Sequence, residues 1–214
     1  MGVIYMKILN FGSLNIDYVY SVDHFVQKGE TISSSQMNIF SGGKGLNQST
    51  ALGRAGAQVF HAGRIGKGGE FLVEQLKEAG VNTDLVVLDS QCSTGHAIIQ
   101  NDAEGDNCIL LYGGANQRIT KEQIDATLDQ FDAGDYLVLQ NETSNLPYLM
   151  EKAAEKQMKI VLNPSPMDEK IKALPLDKVT LFFVNEIEAA QILGEKELES
   201  TEKAVEAFQD MFPK

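Results

Sequence analysis

The stretch that most constrains this chain is Ser41–Gly66, SGGKGLNQSTALGRAGAQVFHAGRIG. Extended to Gly69, it holds nine of the 19 glycines in 214 residues. Such clustering marks places where backbone turns tightly or approaches something closely. The pattern predicts a glycine turn at Gly42-Gly43, a helix from about Gly45 to Ala55 and a strand running through Val59. Ala51, Gly53, Ala55 and Gly56 leave the helix thin-skinned, so it can press hard on a sheet. Its first turn carries Lys44 and Asn47 beside N–H groups that lack a partner inside the helix. Donors of that kind, at the positive end of a helix dipole, suit a polyhydroxylated or anionic ligand. By spacing alone, a tight strand-to-helix turn that binds nothing fits equally well.

The spacing excludes two phosphate-binding loops. G-x-x-x-x-G-K-[ST] is absent, and no G-x-G-x-x-G opens a helix directly after the first predicted strand, Lys7–Phe11. A net charge of −12 argues against nucleic acid, because phosphate-backbone partners need a concentrated basic face. No apolar run has the length of a signal peptide core or a membrane span. Cys92 and Cys108 lack zinc spacing and read as free thiols in a reducing cytoplasm. Met6 is an alternative start, with residues 1–5 then an upstream extension.

Along the chain, predicted strands and helices alternate at βαβ spacing: strands Gln58–Ala62, Asp84–Leu88, Tyr136–Gln140, Lys159–Leu162 and Thr180–Val184, with helices Glu70–Ala79, Leu146–Lys156, Glu186–Leu193 and about Glu202–Met211. Thr120-x-x-Gln123 reads as a capping box opening a helix through Leu128. The rhythm predicts one α/β domain over 1–214, with a Rossmann-like, mostly parallel sheet and helices on both faces. Four segments interrupt it, 18–22, 31–40, 96–100 and 108–112, the last two a hairpin. They cannot all join a parallel core; Ala97, Ile99 and Ile109 are candidates to face a ligand or a partner, or are simply sheet core. His24, His61 and His96 are scattered and read as surface or core histidines. The acidic Glu195–Asp210 region reads as a solvated helix face.

Asn15 and Asp17 follow the first strand at its C-terminal end, where open α/β sheets put ligands, although both residue types also favour turns. Asn141-Glu142 sits just beyond another buried strand; Glu142 could accept two hydroxyls or serve a neighbouring helix start. Asn185-Glu186-Ile187-Glu188 has capping-box spacing.

Taken together, GGKGLNQSTALGRAG with GRIG, FGSLNID, LQNETS, LNPSP and VNEIEAAQILG resemble, in order over nearly the whole chain, the signatures of the ribokinase (PfkB) family of sugar kinases. The resemblance implies a ribokinase-like fold whose small sheet is a lid over the sugar and a homodimer contact. It implies ATP-dependent phosphorylation of D-ribose or a similar pentose at the 5-hydroxyl. Asn15, Asp17, Gly43, Lys44, Asn47 and Glu142 match the sugar-binding positions. Asn185 matches the residue near the nucleotide phosphates, and Glu188 the one that holds magnesium through water. Potassium belongs to complete relatives.

Two departures are expected to matter. Gly68 stands where relatives usually carry Asp. G-A-G-D, which supplies the family's anion hole and catalytic base, occurs nowhere in these residues. The reading is therefore a sugar kinase lacking its C-terminal part and inactive alone, with exposed apolar surface as a consequence. The alternatives are a non-catalytic sugar-binding or dimerising fragment, or a kinase for another sugar or a nucleoside.

Overall fold

The computed structural model describes residues 6–195, 198 and 200–212; the proposed upstream extension, residues 1–5, lies outside them. The elements follow in chain order as β1 (Ile8–Phe11), β2 (Asn15–Ser21), β3 (Gln36–Gly42), α1 (Lys44–Arg54), β4 (Val59–Lys67) and α2 (Glu70–Glu78). Next come β5 (Asn82–Ser93), β6 (Gly95–Asn101), β7 (Asn107–Tyr112), a 3₁₀ turn (Gly114–Arg118) and α3 (Lys121–Leu128). The chain closes with β8 (Tyr136–Gln140), α4 (Leu146–Glu155), β9 (Lys159–Asn163), β10 (Val179–Phe182), α5 (Glu186–Leu193) and α6 (Thr201–Met211).

Six strands form one sheet in the order β10-β9-β8-β1-β4-β5, and every pairing in it is parallel. The inner strands β1, β8 and β9 are short apolar runs covered on both faces, as parallel sheets require, while the edge strands β5 and β10 are partly exposed. Leu9 and Phe11 of β1 join Ile124 and Leu128 of α3 and Leu149 and Met150 of α4 in one core. The opposite face, with Val59 and Ile65 of β4, packs Leu46 of α1 and Leu72 and Leu76 of α2. The period-2 alternation along β1 and β4 thus separates the two layers.

The remaining strands make a smaller sheet in the order β3-β2-β6-β7. Within it β2 and β6 are parallel, while β3 and β7 pair antiparallel at the edges. Its strands begin and end differently from the expected segments. The 31–40 segment shortens to Gln36–Gly42 because Ser34 and Ser35 hydroxyls donate to the Ser21 carbonyl, at 3.0 and 3.2 Å. Serine hydroxyls that capture backbone in this way compete with a strand ladder. The 18–22 segment instead starts early, at Asn15, which pairs with Gly42 and Gly95. Register places Ala97, Ile99 and Ile109 on the face that carries Asp17. Ala97 is buried there and Ile109 exposed.

At α3 the cap is half of what the spacing suggests. Thr120 Oγ1 accepts from Gln123 N at 3.2 Å. The Gln123 side chain turns instead to β4, donating to the Gly63 carbonyl at 2.8 Å and accepting from Arg64 Nε at 3.1 Å.

Candidate active site

The glycine turn, the β1–β2 junction and the loop after β8 meet at the C-terminal edge of the parallel sheet. Gly45 makes that approach: a Cβ there would lie 2.4 Å from Ser13 N and 2.6 Å from the Gly12 Cα. Gly43 has φ +95°, a backbone region that glycine occupies without penalty. Together they bring the start of α1 onto the Ser13 backbone, and Leu46 N donates to the Ser13 carbonyl at 3.0 Å.

The N–H groups of this helix start are not free, contrary to the expectation from sequence. Lys44 N donates to Glu142 Oε2 at 2.9 Å, and Gly45 N to Ser13 Oγ at 3.2 Å. The Ser13 hydroxyl in turn donates to the same Glu142 oxygen. Glu142 therefore caps α1 from a distance, its charge set against the positive end of the helix. Both of these bonds go to one carboxylate oxygen, Oε2; among the described residues the other accepts no hydrogen bond.

Asp17 lies beside this group. Gly42 makes the space, since a Cβ there would sit 2.1 Å from Asp17 Oδ2. Burial pushes the Asp17 carboxyl above its ordinary value, and the Glu142 charge pushes it the same way. Two carboxylates close enough to interact form an acceptor-rich pair, the complement of a ligand with several hydroxyls. Asn15 is buried, and its Oδ1 accepts from Asn116 Nδ2 at 2.8 Å. Asn47 stands exposed on the first turn of α1, its N–H donating to the Gly43 carbonyl at 3.0 Å.

Asn185 and Glu188 lie after β10, also on the C-terminal side of the sheet. They form the full capping box of α5: Asn185 Oδ1 accepts from Glu188 N at 2.8 Å, and Glu188 Oε2 from Asn185 N at 3.1 Å. Among the described residues, no hydrogen bond joins this pair to the Asp17–Glu142 group. Gly68 has φ +82°, so the residue that departs from the resemblance suits its own backbone.

Three contributors were not singled out from sequence. Ser13 bridges the glycine turn and Glu142. Asn116 holds the β1–β2 junction. Gln117 Nε2 donates to the Glu142 carbonyl at 2.8 Å. Ser13 sits inside FGSLNID, and Asn116 follows the Gly113-Gly114 pair, where Gly114 has φ +48°. A second glycine pair between predicted elements was the available signal. His61 is a core residue: it is fully buried, with Nδ1 2.8 Å from Ser49 Oγ.

Comparison with known proteins gives a consistent result. A family model described as pfkB family carbohydrate kinase matches residues 6–214. The ribokinase of Staphylococcus aureus (strain COL) is 34% identical over 199 residues, which are 89% of this chain and 64% of that protein. The ribokinase of Haemophilus influenzae (strain ATCC 51907 / DSM 11121 / KW20 / Rd) is 33% identical over 205 residues, 93% of this chain and 67% of that one. Among solved structures, a ribokinase from Cryptococcus neoformans var. grubii serotype A in complex with ADP aligns with a TM-score of 0.78 at 35% identity, over 97% of this chain and 68% of that one. A Thermotoga maritima ribokinase aligns with a TM-score of 0.80 at 31% identity, over 97% of this chain and 69% of that one. The chain thus spans about two thirds of the length of these relatives.

Proposed function

The chain belongs to the pfkB family of carbohydrate kinases, and on that premise we propose that it forms the sugar-binding part of an ATP-dependent kinase that phosphorylates D-ribose at its 5-hydroxyl. The observation that carries this reading is the convergence of Asp17, Glu142 and the Asn15 amide on the glycine turn. Such a group offers acceptors and a donor without a strong positive charge, which suits a neutral polyol better than a phosphate. Asp17 and Glu142 accept sugar hydroxyls, Gly43 admits the sugar close to backbone, and Lys44 and Asn47 border the same turn. Ribose in preference to another sugar is supported by the relatives named ribokinase.

ATP as co-substrate is supported by the ADP complex of the Cryptococcus relative. Asn185, at the α5 N-terminus, is the phosphate-side residue. Among the described residues no cluster of three or more His, Cys, Asp or Glu side chains could cage a metal. Glu188 still fits magnesium held through water: one oxygen is engaged in the cap and the other is available to a hydrated ion, the mode Mg²⁺ favours. When bound, magnesium would supply charge neutralisation on transferring phosphate oxygens. Potassium is assigned no residue here.

G-A-G-D, the motif to which the resemblance assigns the base and anion hole, does not occur in these 214 residues. We therefore assign sugar binding, without turnover, to these residues on their own. The small sheet is assigned as lid and homodimer contact. Supporting this, Ile39, Ile98, Leu110 and Tyr112 are exposed and register puts them on the face opposite Asp17. A cytoplasmic setting is supported by two free cysteines. Among the described residues no helix is long and apolar enough to cross a membrane.

The test measures ADP release by the purified 214-residue chain with D-ribose, ATP, magnesium and potassium, alongside ribose binding. The expected result is ribose binding without enzyme-like ADP release. Rapid release would show that another residue acts as base; absence of ribose binding would remove the sugar assignment.

A further inference from the structure

We infer that Asn116 is a positioning residue that sets the hydrogen-bond polarity of the sugar site, turning the Asn15 amide so that it donates to the ligand. The inference rests on the sugar-site reading above and adds to it a direction for one contact.

The main-chain N–H and C=O of Leu14 have a polarity that cannot change. Leu14 offers one N–H donor and one carbonyl acceptor. Asn116 is almost fully buried, at 1% exposure, and meets both: its Oδ1 accepts from Leu14 N at 3.0 Å, and its Nδ2 donates to the Leu14 carbonyl at 3.2 Å. Rotating the Asn116 amide by half a turn would set oxygen against oxygen and N–H against N–H, so the backbone fixes its orientation. The second Nδ2 proton then points at Asn15, which must answer with its oxygen, at 2.8 Å. Asn15 Nδ2 is left over. Among the described residues nothing accepts from it, and it is not one of the buried side-chain atoms left without a partner. Polarity passes from the Leu14 backbone to Asn116, from Asn116 to Asn15, and from Asn15 to the sugar site. The site then carries acceptors on Asp17 and Glu142 and a donor on Asn15.

The surroundings are built for this pair. A Cβ on Gly95 would lie 2.3 Å from Asn116 Nδ2 and 2.4 Å from Asn15 Oδ1, so only glycine leaves room. The turn that carries Asn116 is also fastened to the Glu142 loop: Gln117 Nε2 donates to the Glu142 carbonyl at 2.8 Å, and Ser144 N to the Asn116 carbonyl at 3.1 Å. Its far end is held by Arg118 Nε on the buried Asp89, at 2.8 Å. Asn116 therefore links the two parts of the site, its side chain to Asn15 and its main chain to the loop that carries Glu142.

The test is a double-mutant cycle on D-ribose affinity, read by calorimetry, with Asn116→Asp and Asn15→Ala. Asn116→Asp keeps an acceptor for Leu14 N but removes the donor to Asn15, so Asn15 should flip and present its oxygen to the sugar. The expected result is affinity lowered about tenfold or more, the scale of one reversed hydrogen bond, and no further loss when Asn116→Asp is added to Asn15→Ala. Equal losses in both backgrounds would overturn the inference, because a merely structural defect acts without Asn15. So would an Asn116→Asp affinity within about twofold of the parent.

A readout independent of the sugar is side-chain amide proton exchange in the unliganded, unsubstituted chain. Protected Asn116 and exchanging Asn15 amide protons are expected; the reverse order overturns the inference. This measurement decides if Asn116→Asp does not fold. If ribose does not bind the parent, the sugar reading fails while the exchange order still decides the amide polarity.

Discussion

His61 gives the fold a pH dependence that can be worked out in advance. The ring is fully buried between β4 and α1, with Nδ1 on Ser49 Oγ at 2.8 Å. Its Nε2 has no hydrogen-bond partner among the described residues. Burial penalises the charged ring and pulls its pKa from 6.5 down to about 4, outweighing the opposing effect of the Gly12 backbone. Above the ordinary value, the ring is neutral both folded and unfolded, and stability is full. As pH falls from there towards the folded value, the unfolded chain takes a proton that the folded chain refuses, so stability is lost. Each pH unit of that window costs about 1.4 kcal/mol, roughly 3 kcal/mol in all, of which about 2 kcal/mol is lost by pH ~5. Below the folded value this group causes no further loss. Urea unfolding at about pH 7 and about pH 5, compared between the parent and His61→Gln, isolates the effect from carboxylate titration common to both. The parent should lose about 2 kcal/mol more than the variant over that interval. Equal losses, or an NMR titration of His61 near its ordinary value, would refute the burial argument.

Three further outcomes follow from the same geometry. Gly45→Ala puts a Cβ against main chain at Ser13 and Gly12, so it should cost at least about 2 kcal/mol in urea unfolding and abolish ribose binding by moving Lys44 N off Glu142. Asp17→Asn should raise the melting temperature at neutral pH while weakening ribose binding. The raised Asp17 pKa means its ionisation destabilises the fold above the folded pKa, so the gain should vanish as pH falls below the ordinary carboxylate value. Asn185→Ala removes one arm of the α5 capping box and should cost about 1 kcal/mol by chemical denaturation.

The parallel layer was readable because its elements repeat one pattern: apolar runs such as Tyr136–Gln140, punctuated by Gly, Pro and capping residues, recur at βαβ spacing. Asn185 and Glu188 were legible for the same reason, since a capping box is local chemistry. The Gly42-Gly43 turn was visible as composition, but its purpose was not. The N–H groups at Lys44 and Gly45 look free in sequence and are satisfied by Glu142 and Ser13, far away in the chain. Local rules cannot count long-range partners. Asn116 was hidden in the same way: its role depends on Leu14 and Asn15, 102 and 101 positions away. The β3 boundary moved because two adjacent serines, Ser34 and Ser35, bond backbone outside the ladder, a competition that alternation of residue types does not reveal.

The most direct measurement is a calorimetric titration of D-ribose into the chain and into Glu142→Gln, with melting curves confirming that both are folded. The account predicts saturable binding to the parent with one sugar per chain, and binding at least about tenfold weaker to the variant, as expected for a charge-assisted hydrogen bond at the centre of the site. No heat with the parent, or equal affinity for the two proteins, would contradict the assignment of this cleft to a sugar.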